Sequence, residues 1–250
     1  MYKLSCVFSK IFFHFVWLAL FFPLSSQAKS ELVVAVGLAK PPYVIQHDNS
    51  GFELDMISYL FKQMGYSTKF VYTSFGHSPK MLAIEEVDAV LTTSKKIFPD
   101  ESKLSDSYVT YQNVAISLAE NKLKIDSIPD LGSYTMASFQ KADKVLGKAF
   151  ANAVDRSPLY LKVADQSQQP LMLTKNRVEV LVMDVNIFNY FVRKLNIPDS
   201  NKRFTVHYVF PPSRYKAAFK NDELREKFNQ QLKSFKSSEE YNMLKTRYGL

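Results

Sequence analysis

The chain alternates short apolar runs with apolar stripes of helical period, and that alternation sets the expected architecture. Leu32-Val33-Val34-Ala35-Val36 is a continuous apolar run of the kind that fits a strand covered on both faces. Lys40-Pro41-Pro42-Tyr43 ends it, because proline removes a ladder donor and holds the chain extended. After the Asn49-Ser50-Gly51 turn, Phe52, Met56, Ile57, Leu60, Phe61 and Met64 fall on one helical stripe, with Gly65 as its stop. Lys69-Phe70-Val71-Tyr72 reads as a second strand, Met81, Leu82 and Ile84 as a short helix, and Asp88-Ala89-Val90-Leu91 as a third strand. This βαβαβ order predicts a parallel sheet with covering helices.

A second run repeats the grammar. Ile128 to Gly132 reads as a turn, Tyr134 to Ala137 as a strand and Val145 to Val154 as a helix. A helix beginning at Leu171 precedes the apolar run Val178 to Asp184, and a further helix, Ile187 to Leu195, leads to a strand candidate from Phe204 to Phe210. The tail then offers a short strand in Ser213 to Lys220, a charged turn at Asn221-Asp222-Glu223-Leu224 and a closing pair of amphipathic helices. With no Gly/Ser-rich linker, the two halves are expected to be joined by extended crossings.

The N-terminus changes the picture of where the chain works. Lys3 and Lys10 flank a nearly uninterrupted apolar run from Ile11 to Leu24, and Ser26-Gln27-Ala28 supplies small residues at a cleavage site. Residues 1–28 therefore read as a secretory signal peptide; the alternative, a retained anchor, is disfavoured by a run shorter than the ~20 residues a spanning helix needs. Cleavage would remove the single cysteine, Cys6, and with it any thiol chemistry or disulfide. Without Lys3 and Lys10, 30 basic residues face 24 acidic ones, a net of +6, scattered rather than gathered in a block. That excludes the usual nucleic-acid signature.

The order of motifs across the mature chain resembles the family 3 bacterial extracellular solute-binding proteins. The resemblance rests on Pro41-Pro42-Tyr43, Gly51-Phe52-Glu53-Leu54-Asp55, Asp88 to Leu91, Leu104-Ser105-Asp106-Ser107-Tyr108, the turn and strand from Ile128 to Ala137, the run Val178 to Asp184, and the returning tail strand. It implies an α/β fold of the type II periplasmic-binding-protein kind, two lobes on a hinge of two crossing strands, with 29–118 plus 213–250 as lobe 1 and 119–212 as lobe 2. It implies a monomeric periplasmic protein that captures a small polar solute, an amino acid or a related amine or organic molecule, for an ABC-type transporter. An inner-membrane permease or sensor protein would be its partner, and no cofactor is implied.

The candidate ligand contacts sit at strand ends, where open α/β sheets bind. Tyr43 is either a cleft aromatic, as the resemblance implies, or a wall residue packed on the following helix; Phe75 has the same two readings. Thr92, Thr93 and Ser94 offer hydroxyls and backbone groups to a polar ligand, or form a plain turn. Asp184 is either the partner of a ligand ammonium, as in amino-acid-binding relatives, or the cap of the helix after it. Gln140 is a weaker contact, with capping or solvent exposure as the alternative.

One departure matters. Amino-acid-binding members carry an arginine just after the third strand that grips the ligand carboxylate, whereas this chain reads Lys95-Lys96-Ile97-Phe98-Pro99-Asp100-Glu101 and has no arginine between Asp88 and Arg156. Either Lys95 or Lys96 takes that place, or the two form a solvated charge run and the ligand is a cationic, aromatic or otherwise modified molecule. Catalytic readings find little: His47, His77 and His207 are far apart, and neither a nucleophile elbow nor a phosphate loop occurs. The expectation is a binding protein, with a stand-alone sensor component or a periplasmic enzyme on the same fold as alternatives.

Overall fold

Strands that run apolar without alternation must be covered on both sides, and the chain builds two such sheets. The computed structural model describes residues 30–73, 78–98 and 100–250; the expected signal peptide and Phe75 lie outside the described residues. The first stretch supplies β1 (Glu31–Gly37), α1 (Phe52–Gln63), β2 (Ser67–Thr73), α2 (Ser78–Met81), β3 (Ala89–Thr93) and β4 (Leu104–Tyr111). After the single residue Gln112 come β5 (Asn113–Leu118), β6 (Met136–Phe139), α3 (Ala142–Val145), α4 (Lys148–Arg156), β7 (Tyr160–Val163), α5 (Gln169–Thr174), β8 (Val180–Asp184), α6 (Val185–Lys194), α7 (Ser200–Arg203) and β9 (Phe204–His207). The chain closes with β10 (Ser213–Phe219), α8 (Asp222–Lys236) and α9 (Glu239–Tyr248).

The sheets have the orders β2-β1-β3-β10-β4 and β7-β6-β8-β5-β9. Each is parallel through its first three strands and then takes in an antiparallel strand: β10 between β3 and β4, and β5 between β8 and β9. The two lobes thus exchange the chain twice, through Gln112 and through residues 208–212. Asn113–Leu118 pairs with β8 and β9, so it belongs to the second sheet and not to the lobe 1 span of 29–118 expected from the sequence. All six of its residues are buried, as expected of a strand paired on both sides, here by β8 and β9.

The tail returns to the first lobe. Leu224, Phe228, Leu232 and Phe235 form the buried stripe of α8, and Phe61, Phe219 and Phe228 meet with centroid separations of 5.0 to 6.2 Å. Asn221 and Ser238 cap α8 and α9 by accepting backbone N–H bonds, and Gly249 ends α9 in the left-handed conformation. No helix among the described residues is long and apolar enough to cross a membrane.

Because Phe228 is wholly buried between the tail and the first sheet, Phe228→Ala should lower unfolding free energy by about 3 to 5 kcal/mol in a urea titration. A loss below about 1 kcal/mol would mean that α8 is not part of the first lobe's core.

Candidate functional site

The start of α1 is fixed by the turn that follows β1. Helix N-termini leave backbone donors unpaired, and here Phe52 N donates to Pro42 O at 2.9 Å and Glu53 N to Tyr43 O at 3.0 Å. The close approach requires Gly51: its φ is 119°, and a Cβ there would lie 2.4 Å from the Tyr43 carbonyl oxygen. Docking the helix on this turn carries Glu53, in its first turn, into a fully buried position.

A buried carboxylate needs donors, and Glu53 has four. Tyr108 and Tyr111 hydroxyls donate to its two oxygens in short bonds, Thr92 Oγ1 donates at 2.8 Å, and Lys40 Nζ lies 3.5 Å away. Lys40 Nζ also donates to Thr92 Oγ1 at 2.9 Å and sits 5.5 Å from the centre of the Tyr111 ring. Thr92 reaches both partners because β3 bulges: Lys216 pairs with Thr93 and Ala218 with Val90, so three steps along β3 match two along β10. Its φ of 52° is rare for a β-branched residue, a local strain next to the cleft. Burial and the Glu53 charge push the Tyr108 and Tyr111 hydroxyls well above their ordinary range, so both stay protonated and donate.

The second lobe presents Asp184 at the end of β8. Its Oδ1 accepts from Asn186 N at 2.9 Å and Ile187 N at 3.1 Å, capping α6, while Oδ2 accepts from Gln112 N at 2.8 Å. Tyr43 OH, from the first lobe, donates to Oδ1 at 3.2 Å and accepts from Asn186 Nδ2 at 2.9 Å. Burial is the main influence on the Asp184 carboxyl and outweighs these donors, raising its pKa from 3.8 to about 6. Tyr43 stacks on Tyr111 at 4.0 Å, and Tyr111 meets Tyr215 edge-on at 5.1 Å.

A cavity of about 350 Å³ lies at the carboxyl ends of the parallel strands of both sheets. The first lobe lines it with residues 37–40, Leu91, Thr92, Ile97, Tyr111 and Tyr215, the second with Asn113, residues 139–141, Ala164, Gln166, Asp184 and Ile187. Of the residues singled out in the sequence, Thr92, Gln140 and Asp184 meet there. Tyr43 does not line it: the ring is only 1% exposed, sandwiched behind Tyr111, so it is a wall residue tied to Asp184. Thr93 is buried with its hydroxyl unpaired, and Ser94 lies in a turn where its carbonyl accepts from Ile97 and Phe98. Lys95 and Lys96 are exposed, and Lys95 pairs with Glu101 at 2.6 Å, so neither faces the cavity. Asp184 caps α6, one of the two readings the sequence left open, and its carboxylate also lines the cavity.

The residues that sequence reasoning missed are chiefly Lys40, Tyr111 and Phe139. Lys40 stood in the turn read only as a strand stop. Tyr111 follows by three residues the Tyr108 of a recognised motif, and that spacing was its one signal.

Two α/β lobes joined by two crossings, with a cavity between them, define the two-lobed fold of type II periplasmic binding proteins. Residues 32–250 match the bacterial extracellular solute-binding proteins, family 3, and the chain belongs to that family. No curated protein matches it. Among solved structures, the ancestral amino acid-binding protein AncCDT-1, a precursor of cyclohexadienyl dehydratase, is 20% identical with a TM-score of 0.68, covering 89% of this chain and 96% of that one. A histidine kinase sensor domain with similarity to periplasmic binding proteins is 14% identical, at a TM-score of 0.69 over 88% and 96% of the two chains. An ABC uptake transporter substrate-binding protein from Streptococcus pneumoniae with bound histidine is 13% identical, at 0.66 over 89% and 93%. These likenesses establish the fold.

The raised Asp184 pKa has a definite sign. A folded pKa above the unfolded one means the folded state holds the proton more tightly, so this contribution is fully present below about pH 4 and lost as pH rises through about 6. Two units correspond to about 3 kcal/mol. The stability difference between wild type and Asp184→Asn, measured by chemical unfolding from pH 4 to 7, should shift against wild type by about that much. An unchanged difference across the window would show that Asp184 titrates normally.

Proposed function

We propose that the chain is a periplasmic solute-binding protein that captures a small organic molecule between its lobes and presents it to an inner-membrane permease. The observation that carries this reading is the shared cavity: Thr92 and Lys40 from one sheet face Gln140 and Asp184 from the other across a space sized for a small solute. Such a ligand gains its full set of contacts only when the lobes are together, and only that difference can drive closure. The moving units are 30–111 with 213–250, and 113–207, with Gln112 and 208–212 as hinge.

Gln112 fits the hinge role. Its Nε2 donates to its neighbour Asn113 O and to Phe210 O on the other crossing, both at 2.9 Å, so the two crossing segments are bonded to each other. Delivery to the periplasm rests on the N-terminal signal pattern and on the extracellular description of the family. The same architecture in a histidine kinase sensor domain supports a second reading, in which the closed form reports to a membrane receptor instead of feeding a transporter.

Purified protein incubated with a library of amino acids, amines and small organic acids should show reversible thermal stabilisation by a subset, with the bound solute recovered unchanged. A chemically altered solute would replace binding with catalysis. For the solute that binds best, Gln140→Ala should weaken affinity by up to about tenfold, the worth of one neutral hydrogen bond, with ligand-free stability retained. Unaltered affinity would remove Gln140 from the site.

A further inference from the structure

Building on the solute-binding reading above, we infer that the solute carries a compact anionic group, such as a carboxylate, that docks on the Lys40 ammonium, with its apolar body against Leu38, Ile97 and Phe139.

An ammonium has three N–H donors. Thr92 Oγ1 takes one at 2.9 Å and Glu53 Oε1 a longer one at 3.5 Å, while the side chain lines the cavity and keeps 16% of its surface open. The counter-charge is directed away from the cavity. Glu53 is fully buried behind Lys40, and its two oxygens are already met by Tyr108, Tyr111 and Thr92, so its charge is spread over three hydroxyls. The positive end of the pair faces the ligand space.

The opposing group points the same way. Among the described lining residues, Asp184 is the one carboxylate, and three backbone N–H groups and the Tyr43 hydroxyl already donate to it. A ligand ammonium would have to displace or share these bonds, whereas a ligand anion meets an under-used donor at Lys40. This departs from the cationic, aromatic or otherwise modified solute considered for the missing arginine: the anchoring cation enters from residue 40, before the proline turn, not from residues 95–96.

The test compares acids with their own carboxamides, which keep the shape and lose the charge: L-leucine, L-phenylalanine and 3-phenylpropionate, each against its amide, by titration calorimetry. At least one acid should bind about 10- to 100-fold more tightly than its amide, the range of a charged hydrogen bond. Lys40→Met alone would strand Glu53 in the interior, so the variant of choice is Lys40→Met combined with Glu53→Gln, checked for folding by ligand-free unfolding. It should lose the preference, and Lys40→Arg should keep it. Equal binding of acid and amide by wild type would overturn the inference, whether or not the variants fold. So would a preference that survives in the double variant, or stabilisation by amines alone; in these cases the solute-binding reading stands. If neither these probes nor a wider library of neutral, cationic and anionic solutes binds, the solute-binding reading falls and this inference with it.

Discussion

The Glu53 carboxylate is fully buried, and the first lobe's half of the cleft is arranged around keeping it there. An isolated buried charge is far more costly than any single contact in a domain recovers, so each donor to it constrains a different element. Tyr108 and Tyr111 fix the face of β4, Thr92 fixes the bulge of β3, and Lys40 fixes the loop after β1. Losing the charged partner of a buried pair typically costs about 3 to 5 kcal/mol, and losing one hydroxyl donor to a charged group about 1.5 to 3 kcal/mol. The strained backbone of Thr92 sits where its hydroxyl bonds both Glu53 and Lys40.

The second lobe uses the same device with a different carboxylate. Asp184 caps α6 as Glu53 sits in the first turn of α1, so both negative charges lie near the positive ends of helices. The two carboxylates are linked through rings. Tyr111 donates to Glu53 and stacks on Tyr43, whose hydroxyl reaches Asp184, so a continuous chain of contacts runs from one lobe's buried charge to the other's.

Much of the fold was legible in residues whose pattern is local. The β1 run, the α1 stripe, the β8 run into Asp184 and the α8 stripe are all set by periodicity, and the structure places each within a few residues of its expected bounds. β4, β5 and β7 were not read as strands. Asn113–Leu118 is apolar but short and follows β4 after one residue, so the chain's passage to another sheet left no turn signal; only pairing with β8 and β9 reveals it. The site was legible where a strand end delivers a polar side chain, as at Thr92 and Asp184. It was illegible where the geometry depends on partners distant in sequence. Lys40 is one of many lysines until Glu53 and Thr92 are brought against it, and Tyr43 was open to two readings, cleft aromatic or wall residue, until Tyr111, from 68 positions later in the numbering, covered its face.

The position of the Tyr43–Asp184 contact decides what it does when the lobes move. Gln112, the whole of the first crossing, donates its backbone N–H to Asp184, so this contact lies beside the axis about which the lobes would rotate. On the hinged reading proposed above, points near that axis would be displaced little and the lining residues away from it more. On that reading the Tyr43, Asn186 and Asp184 contacts would stay bonded as the lobes move and act as a bearing. A hinge of this kind needs its polar contacts satisfied at all times, since the site is buried and an unpaired group there would bias the equilibrium by about 1 to 3 kcal/mol. Under the same proposal the ligand would supply the remaining difference between open and closed through its contacts at Lys40 and along the cavity lining, and the bearing would carry alignment.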